Sequence, residues 1–374
     1  MGRWLDRLPQ ATLPWLVERG CPPIKLRTLL EILDRPADDW DVARARDGVN
    51  QHPPAVAVGR LQAENGVWLG KLFDFEPPAY ARKKGPGTVN QFLFLVESGW
   101  DLTHPICHAT GLLLEQYLDP RGTADLHELK GYLGEKPALA AAMRSFVRRV
   151  AAMLLARAGR RDDPRIDAVG EELLTALETQ YARPEAPDVY GPTVEIEEGD
   201  QKVAYRTLRE GAVPIDHFTL YMLAYWPGAR ATERARKITA QAVRHLFAAP
   251  HEPPRLLMEA AGKRLFKLRI PHLADWTQDR YADQRLGYLL HDLELLARTG
   301  TLLDHPKATA LLEWTLSLVD GEGILHADGA IEKHVARSLY HYFPLEESWR
   351  GKHKKFTDAT FRLALILKLL HQRS

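Results

Sequence analysis

Apolar residues recur three and four positions apart along most of the chain, in LRTLLEILD (26–34), VNQFLFLVES (89–98), AAMRSFVRRVAAMLLAR (141–157), AVGEELLTALETQY (168–181) and ATFRLALILKLLHQ (359–372). That spacing lines one face of a helix and predicts an all-α chain. One stretch departs from it. In TVEIEEGDQKVAYRTL (193–208), Val194 and Ile196, then Val203 and Tyr205, alternate about a turn-forming EEGDQ, which predicts a β-hairpin inserted between helices. Proline pairs at Pro53-Pro54, Pro77-Pro78 and Pro253-Pro254 and a proline-rich stretch from Pro184 to Pro192 punctuate the helices without a low-complexity linker, so a single domain over 1–374 is expected.

The chain also repeats itself. LFLVESGWDLTHPICHATGLLLEQYLD (93–119) aligns without a gap with ELLARTGTLLDHPKATALLEWTLSLVD (294–320): Gly99 meets Gly300, His104-Pro105 meets His305-Pro306, and Asp119 meets Asp320. A third copy, 153–178, puts Asp163-Pro164 at the His-Pro step after a one-residue deletion. A fourth, 220–247, keeps the pattern and loses the proline, and 14–33 reads as a degenerate fifth. The unit is an αα-hairpin in which an apolar helix stops at a glycine cap and a second, amphipathic helix starts at His or Asp before a first-turn proline. Spacings of roughly 60 to 80 residues are longer than the simple helical arrays with periods near 34 to 47. Five to six such hairpins predict an α/α-toroid, with an open superhelix as the other option.

Composition narrows the setting. Over 374 residues, 50 Lys and Arg face 49 Asp and Glu, so the net charge of +1 supplies no global field for nucleic acid. No run is long and apolar enough to span a membrane and the N-terminus lacks signal-peptide character, so a cytoplasmic protein without a membrane span is expected. Cys21 and Cys107 form neither a disulfide framework nor a zinc spacing, and Cys107 beside His108 reads as an ordinary buried residue, so no metal or cofactor is predicted.

In AVGRLQAENGVWLGKLFDF (57–75), Gln62, Gly66 and Trp68 form Q-x3-G-x-W after an apolar helix end, with a weaker echo in LSLVDGEGIL (316–325). Physically this is a loop staple: glutamine bonds backbone at a helix end, glycine permits the turn and tryptophan packs on the next turn. The motif resembles the QW repeat of squalene and hopene cyclases and of protein prenyltransferase β-subunits. Together with PWLVERGCPPIKLRTLLEIL, YARKKGPGTVNQFLFLVESGWD and KFTDATFRLALILKLL, it is similar to a large bacterial group of prenyltransferase- or squalene-cyclase-like proteins. The resemblance implies an α/α-toroid with inner and outer helix rings around a central cavity.

The family's D-x-D-D acid motif is absent. Its nearest counterparts are PADDWD (36–41) and PIDHFTLYML (214–223), where Asp216 reads either as a helix cap or as an acid oriented by His217. RRDDPRID (160–167) is one residue too long for a magnesium-binding D-D-x-x-D, and Asp163 reads as a cap. Polar and aromatic residues near the helices taken as inner supply the remaining candidates. Asp216, His217, Tyr288, His291 and Asp358 are the candidate catalytic groups, and Tyr80, Tyr221, Trp226, Asp292, Tyr340, His341 and Trp349 the candidate cavity lining. A core with satisfied polar tips and a cavity whose aromatic faces hold an apolar ligand or a carbocation both account for this set. Lys83, Lys84, Arg350, Lys352, Lys354 and Lys355 lie in basic loops that read as solvated or as one anion-receiving rim. Two functions follow as expectations: a cyclase- or prenyltransferase-like cavity protein for an isoprenoid-like ligand, and a non-catalytic helical-repeat protein whose concave face and basic rim take a protein or nucleic-acid partner.

Overall fold

The three clearest repeats end their first helix in the same way. In the computed structural model, Gly99, Gly159 and Gly300 have φ of 97°, 97° and 87°, the left-handed conformation that glycine adopts without penalty. Each cap then closes with two bonds. The glycine N–H donates to the carbonyl of Val96, Ala156 or Ala297, and the following N–H reaches Leu95, Leu155 or Leu296. The second helices follow as Pro105–Tyr117, Pro164–Gln180 and Pro306–Ser317, each with proline first. Asp163 caps its helix through the Arg165 N–H at 2.9 Å. His104 accepts the Ile106 N–H at 3.3 Å and stacks on Trp100 with ring centroids 3.6 Å apart. The fourth copy forms helices His217–Tyr225 and Glu233–Ala248 about Pro227, and the fifth forms Thr12–Arg19 and Pro22–Arg27, which runs on as a π-helical turn Thr28–Ile32.

The structure describes residues 4–73, 87–121, 137–182, 189–198, 200–209, 211–248, 255–260, 263–269, 271, 277–282, 285–326, 338–349 and 353–372. Contacts divide the chain into two compact units, Met1–Leu112 with Thr277–Ser374, and Leu113–Trp276. Within the first, Thr88–Glu97 is buried at every position and Leu286–Thr299 and Lys354–His371 along most of their length. A helix apolar all round has to be enclosed by protein. Pro306–Ser317, by contrast, buries only Ala308, Leu311, Leu312 and Thr315. In the second unit His217–Tyr225 is wholly buried and Pro164–Gln180 shows a one-sided stripe.

The second unit also holds the sheet, which has more strands than the single hairpin expected. The expected hairpin is present as β1 (Tyr190–Glu198) and β2 (Gln201–Leu208), pairing Ile196 with Val203 and Val194 with Tyr205. A second hairpin, β3 (Arg255–Ala260) and β4 (Lys263–Arg269), extends it to four strands in the order β1-β2-β3-β4. β2 and β3 run parallel, Arg206 opposite Leu256, and the helical stretch between them supplies the long crossover that a parallel pair requires. The sequence RLLMEAAGKRLFKLR carries only a brief apolar run and a weak alternation, which hides its strands.

The Q-x3-G-x-W loop is a staple in physical detail. Gln62 donates to the Ile106 carbonyl and the Thr110 hydroxyl, both at 2.8 Å, while Trp68 is fully buried and its indole N–H donates to Val58 O at 2.8 Å. Gly66 has φ of 80°, and a Cβ there would lie 2.7 Å from Ala109 O. The echo at 316–325 shares this geometry. Gln62 bridges Trp68 as Val319 bridges Leu325, and Gly323 has φ of 84°. A threonine N–H acceptor recurs, Thr88 for Trp68 and Thr360 for Leu325. A threonine donor recurs too, Thr110 to Gly66 O at 2.8 Å and Thr12 to Gly323 O at 3.1 Å. The later loop is thus fastened to the first α-helix of the chain.

Candidate functional site

Helices spend their main-chain hydrogen bonds internally, so an irregular segment buried among them draws largely on side chains. Residues Ser338–Trp349 are such a segment. It opens with a turn, the His341 N–H donating to Ser338 O at 3.2 Å, and from Ser338 to Glu346 every residue except Pro344 is buried. The side chains that serve it include much of the candidate catalytic set.

Asn90 accepts the Leu339 N–H and His291 Nε2 donates to the Leu339 carbonyl, both at 3.0 Å. Arg362 donates to Phe343 O at 3.2 Å. Asp358 accepts the N–H groups of Leu345 at 2.9 Å and Glu346 at 3.3 Å and the Trp349 indole N–H at 2.7 Å. The Cys21 thiol donates to Leu345 O at 3.3 Å. Glu346 is itself clasped by the Cys21 N–H (3.0 Å), the Thr357 hydroxyl (2.8 Å) and the Lys354 ammonium (2.9 Å). Of the candidate catalytic groups, His291 and Asp358 thus bond this segment of the chain, while Asp216 and His217 belong to the second unit.

Aromatic packing completes the arrangement. His341 donates from Nδ1 to the Tyr342 carbonyl, and Tyr288 meets its ring edge-on at 4.9 Å. Gly287 makes room, since a Cβ there would fall 1.8 Å from His341 Nε2. Tyr340 and Asp292 are buried in the same unit, and Trp349 lies 6.4 Å from the Tyr342 ring. Burial pushes the Asp358 carboxyl up to about 6 against the N–H groups it accepts. Burial pushes the His341 imidazole down to about 4.

His341 is therefore neutral in the folded protein at pH values where a free imidazole, of pKa about 6.5, takes up a proton. As pH falls from about 6.5 to about 4, the unfolded chain binds a proton that the folded chain refuses, and stability is lost; above that window the contribution is constant. Asp358 works in the opposite sense, because its folded carboxyl binds a proton first. Comparing His341→Gln with the parent by urea unfolding isolates the imidazole. The stability of the variant relative to the parent is expected to rise by about 1 kcal/mol per pH unit as pH falls through the window. A difference that stays flat with pH would show that His341 takes up a proton as readily in the folded chain as in the unfolded one.

A buried ion network that the sequence reading did not identify lies in the same unit. Arg362 Nη1 lies 3.0 Å from both Glu97 Oε2 and Glu294 Oε2. Arg27 binds Glu97 and Glu31, and Arg298 binds Glu294 at 2.9 Å and Glu31 at 3.2 Å. Three arginines thus balance three glutamates. The available signal was a charge inside apolar helices: in the repeat alignment Glu97 meets Arg298, each two residues before its cap glycine.

The remaining candidates belong to the second unit. Asp216 is the cap of His217–Tyr225, accepting the Thr219 N–H at 2.9 Å. Burial raises its carboxyl, opposed by the Thr219 N–H and by the Arg149 guanidinium. A void of about 10 Å³ beside Asp216, Arg149 and Phe146 has the size of one water molecule. His217 is buried on the same helix. Tyr221 stacks on Tyr225 at 5.8 Å. Trp226 donates to Asp167 at 2.7 Å, and its ring is hemmed in by Gly170 and Gly228, where a Cβ would come within 2.4 and 2.1 Å.

Lys354 is committed to Glu346, and the Lys355 ammonium sits 4.9 Å from the Phe356 ring centre. Tyr80, Lys83, Lys84, Arg350 and Lys352 lie outside the described residues. Cys107 is buried, which pushes its thiol up. No described helix is long and apolar enough to cross a membrane. Compared with protein-family models, curated proteins and solved structures, the chain finds no match.

Proposed function

We propose that this chain is a non-catalytic α/α-toroid, a helical-repeat scaffold that binds a polypeptide partner. The observation that carries the reading is the use made of Asp358. Both its oxygens receive N–H groups, from Leu345, Glu346 and Trp349. A carboxylate that holds three N–H donors of its own chain is placed to accept hydrogen bonds and fix that chain in position. His291 likewise spends its Nε2 proton on Leu339 O, and Asp216 serves as a cap. The toroid is supported by the pairing of enclosed and one-sided helices and by two matching staples, the later one tied back to Thr12.

Asp358→Asn tests this reading. The amide cannot accept as a carboxylate does from three donors, and its NH2 group opposes any main-chain N–H it faces. The scaffold reading expects a lower melting temperature for the variant and no cyclised product when the parent is given geranylgeranyl diphosphate or squalene. A parent that cyclises either compound, with Asp358→Asn inactive at an unchanged melting temperature, overturns it in favour of the cavity enzyme.

A further inference from the structure

We propose that β1 and β4, the two outer strands of the sheet, form a head-to-tail contact between copies of this chain, β1 of one copy pairing antiparallel with β4 of the next. The contact lies in the second unit and is independent of the role given to Asp358. In the order β1-β2-β3-β4 each outer strand has one partner, and among the described residues neither pairs with a further strand on its other side. Such an edge presents a row of main-chain N–H and C=O groups that another strand can take up. β1 is also long and open: Pro192, Thr193, Glu195 and Glu197 are exposed, and Val194 and Ile196 are half-buried. The pairing of β2 with β3 covers Arg206 and Thr207, so the hairpin from Val194 to Ala204 stands beyond the stretch that β3 supports. A two-stranded ribbon is marginal in water and gains from a third strand.

Charge selects the occupant. β1 carries acid, apolar residue and acid in turn, Glu195-Ile196-Glu197, and β4 carries the inverse, Lys267-Leu268-Arg269. Laid antiparallel, the two strands set Glu195 opposite Arg269, Ile196 opposite Leu268 and Glu197 opposite Lys267. Opposite charges facing one another across a strand pair stabilise it, and like charges oppose it. Two copies meeting β1 to β1 would set carboxylates against carboxylates, and β4 to β4 would set cations against cations. Charged edges ordinarily keep sheets from joining, but here the two edges differ in sign, so the charges that forbid both symmetric pairings favour the mixed one. Within its own copy Glu195 lies 3.8 Å from the Lys202 ammonium, both exposed, a contact of little worth in water that a strand alongside can outbid. Each added copy leaves a further β1 and β4 open, so association proceeds until a ring closes or a fibre grows.

Sedimentation velocity of the full chain tests the contact. The average mass is expected to rise above that of one chain as protein concentration increases, and to fall back in about 1 M salt, where charges reach only roughly 3 Å. Two double variants then separate the edges: Glu195→Lys with Glu197→Lys, and Lys267→Glu with Arg269→Glu. Each alone has edges of one sign and is expected to associate more weakly by about tenfold or more. Their equimolar mixture restores opposite signs at every contact and is expected to associate as the parent does. Circular dichroism and the melting temperature show whether each variant is folded. Should the β4 variant not fold, Glu195→Gln with Glu197→Gln takes its place and is expected to associate less than the parent and more than the lysine variant. A parent that remains a single chain at every concentration overturns the proposal. Association that the β1 variants leave unchanged, or folded variants that stay apart when mixed, overturns it as well.

Discussion

Trp68→Ala is expected to destabilise the first unit by about 3 to 5 kcal/mol, the usual loss when a large buried aromatic is cut to alanine. Trp68 is fully enclosed, so both its apolar area and its packing partners are forfeited. Its indole N–H also leaves Val58 O without that donor. The rest of the staple stays in place, since Gln62 still holds Ile106 O and Thr88 still receives the residue 68 N–H. The loop therefore has little freedom to collapse into the space. Leu325→Ala, at the matching position of the second staple, is expected to cost less because the side chain removed is smaller. Urea unfolding followed by circular dichroism measures both. A Trp68→Ala midpoint equal to that of the parent would reduce the Q-x3-G-x-W spacing to coincidence.

Features fixed by short-range chemistry were legible before any coordinates. Glycine followed five residues later by His-Pro announced a helix stop and a helix start, and Gly99 and Gly300 take that role with left-handed backbone. Gln62, Gly66 and Trp68 were recognisable because their three jobs belong to one loop. The hairpin 255–269 was hidden because its apolar run is brief, its alternation weak, and its pairing to β2 is made across a long crossover.

The candidate site was legible as a list of residues but not as a use. Tyr288, His291, His341, Trp349 and Asp358 do lie together, yet His291 and Asp358 bond main chain of 339–346 while Tyr288 meets the His341 ring and Trp349 the Asp358 carboxyl, and no periodicity says which group a side chain will meet. The ion network escaped for a related reason. Glu97, Glu294 and Arg362 each sit inside an apolar helix, where one charge reads as an interruption until its partners on other helices are known.

Arg362→Met is the substitution that asks most of that network. Arg362 is buried and stands between Glu97 and Glu294, 3.0 Å from each, so its removal leaves two enclosed carboxylates facing one another with one fewer cation. Breaking a buried ion pair from one side costs about 3 to 5 kcal/mol, since the charge left behind can neither reach water nor find a new partner. Arg27 and Arg298 remain, which places the loss at the lower end of that range. The network also sets an acid limit. Burial alone would raise the Glu294 carboxyl, but Arg298 and then Arg362 draw it below the ordinary carboxylate value. A depressed carboxyl contributes stability that is fully present above the unfolded pKa of about 4.3 and is lost as pH falls through its folded value. Arg362→Met weakens that depression, so the variant is expected to be less stable than the parent at neutral pH and to lose less on acidification. Adding Glu294→Gln to Arg362→Met removes one of the stranded charges and is expected to restore part of the loss, the signature of coupled rather than independent sites. Equal losses for Arg362→Met and the double variant, with parallel pH profiles, would show that Arg362 stabilises the core through its packing on Tyr342 and Phe361 and not through charge.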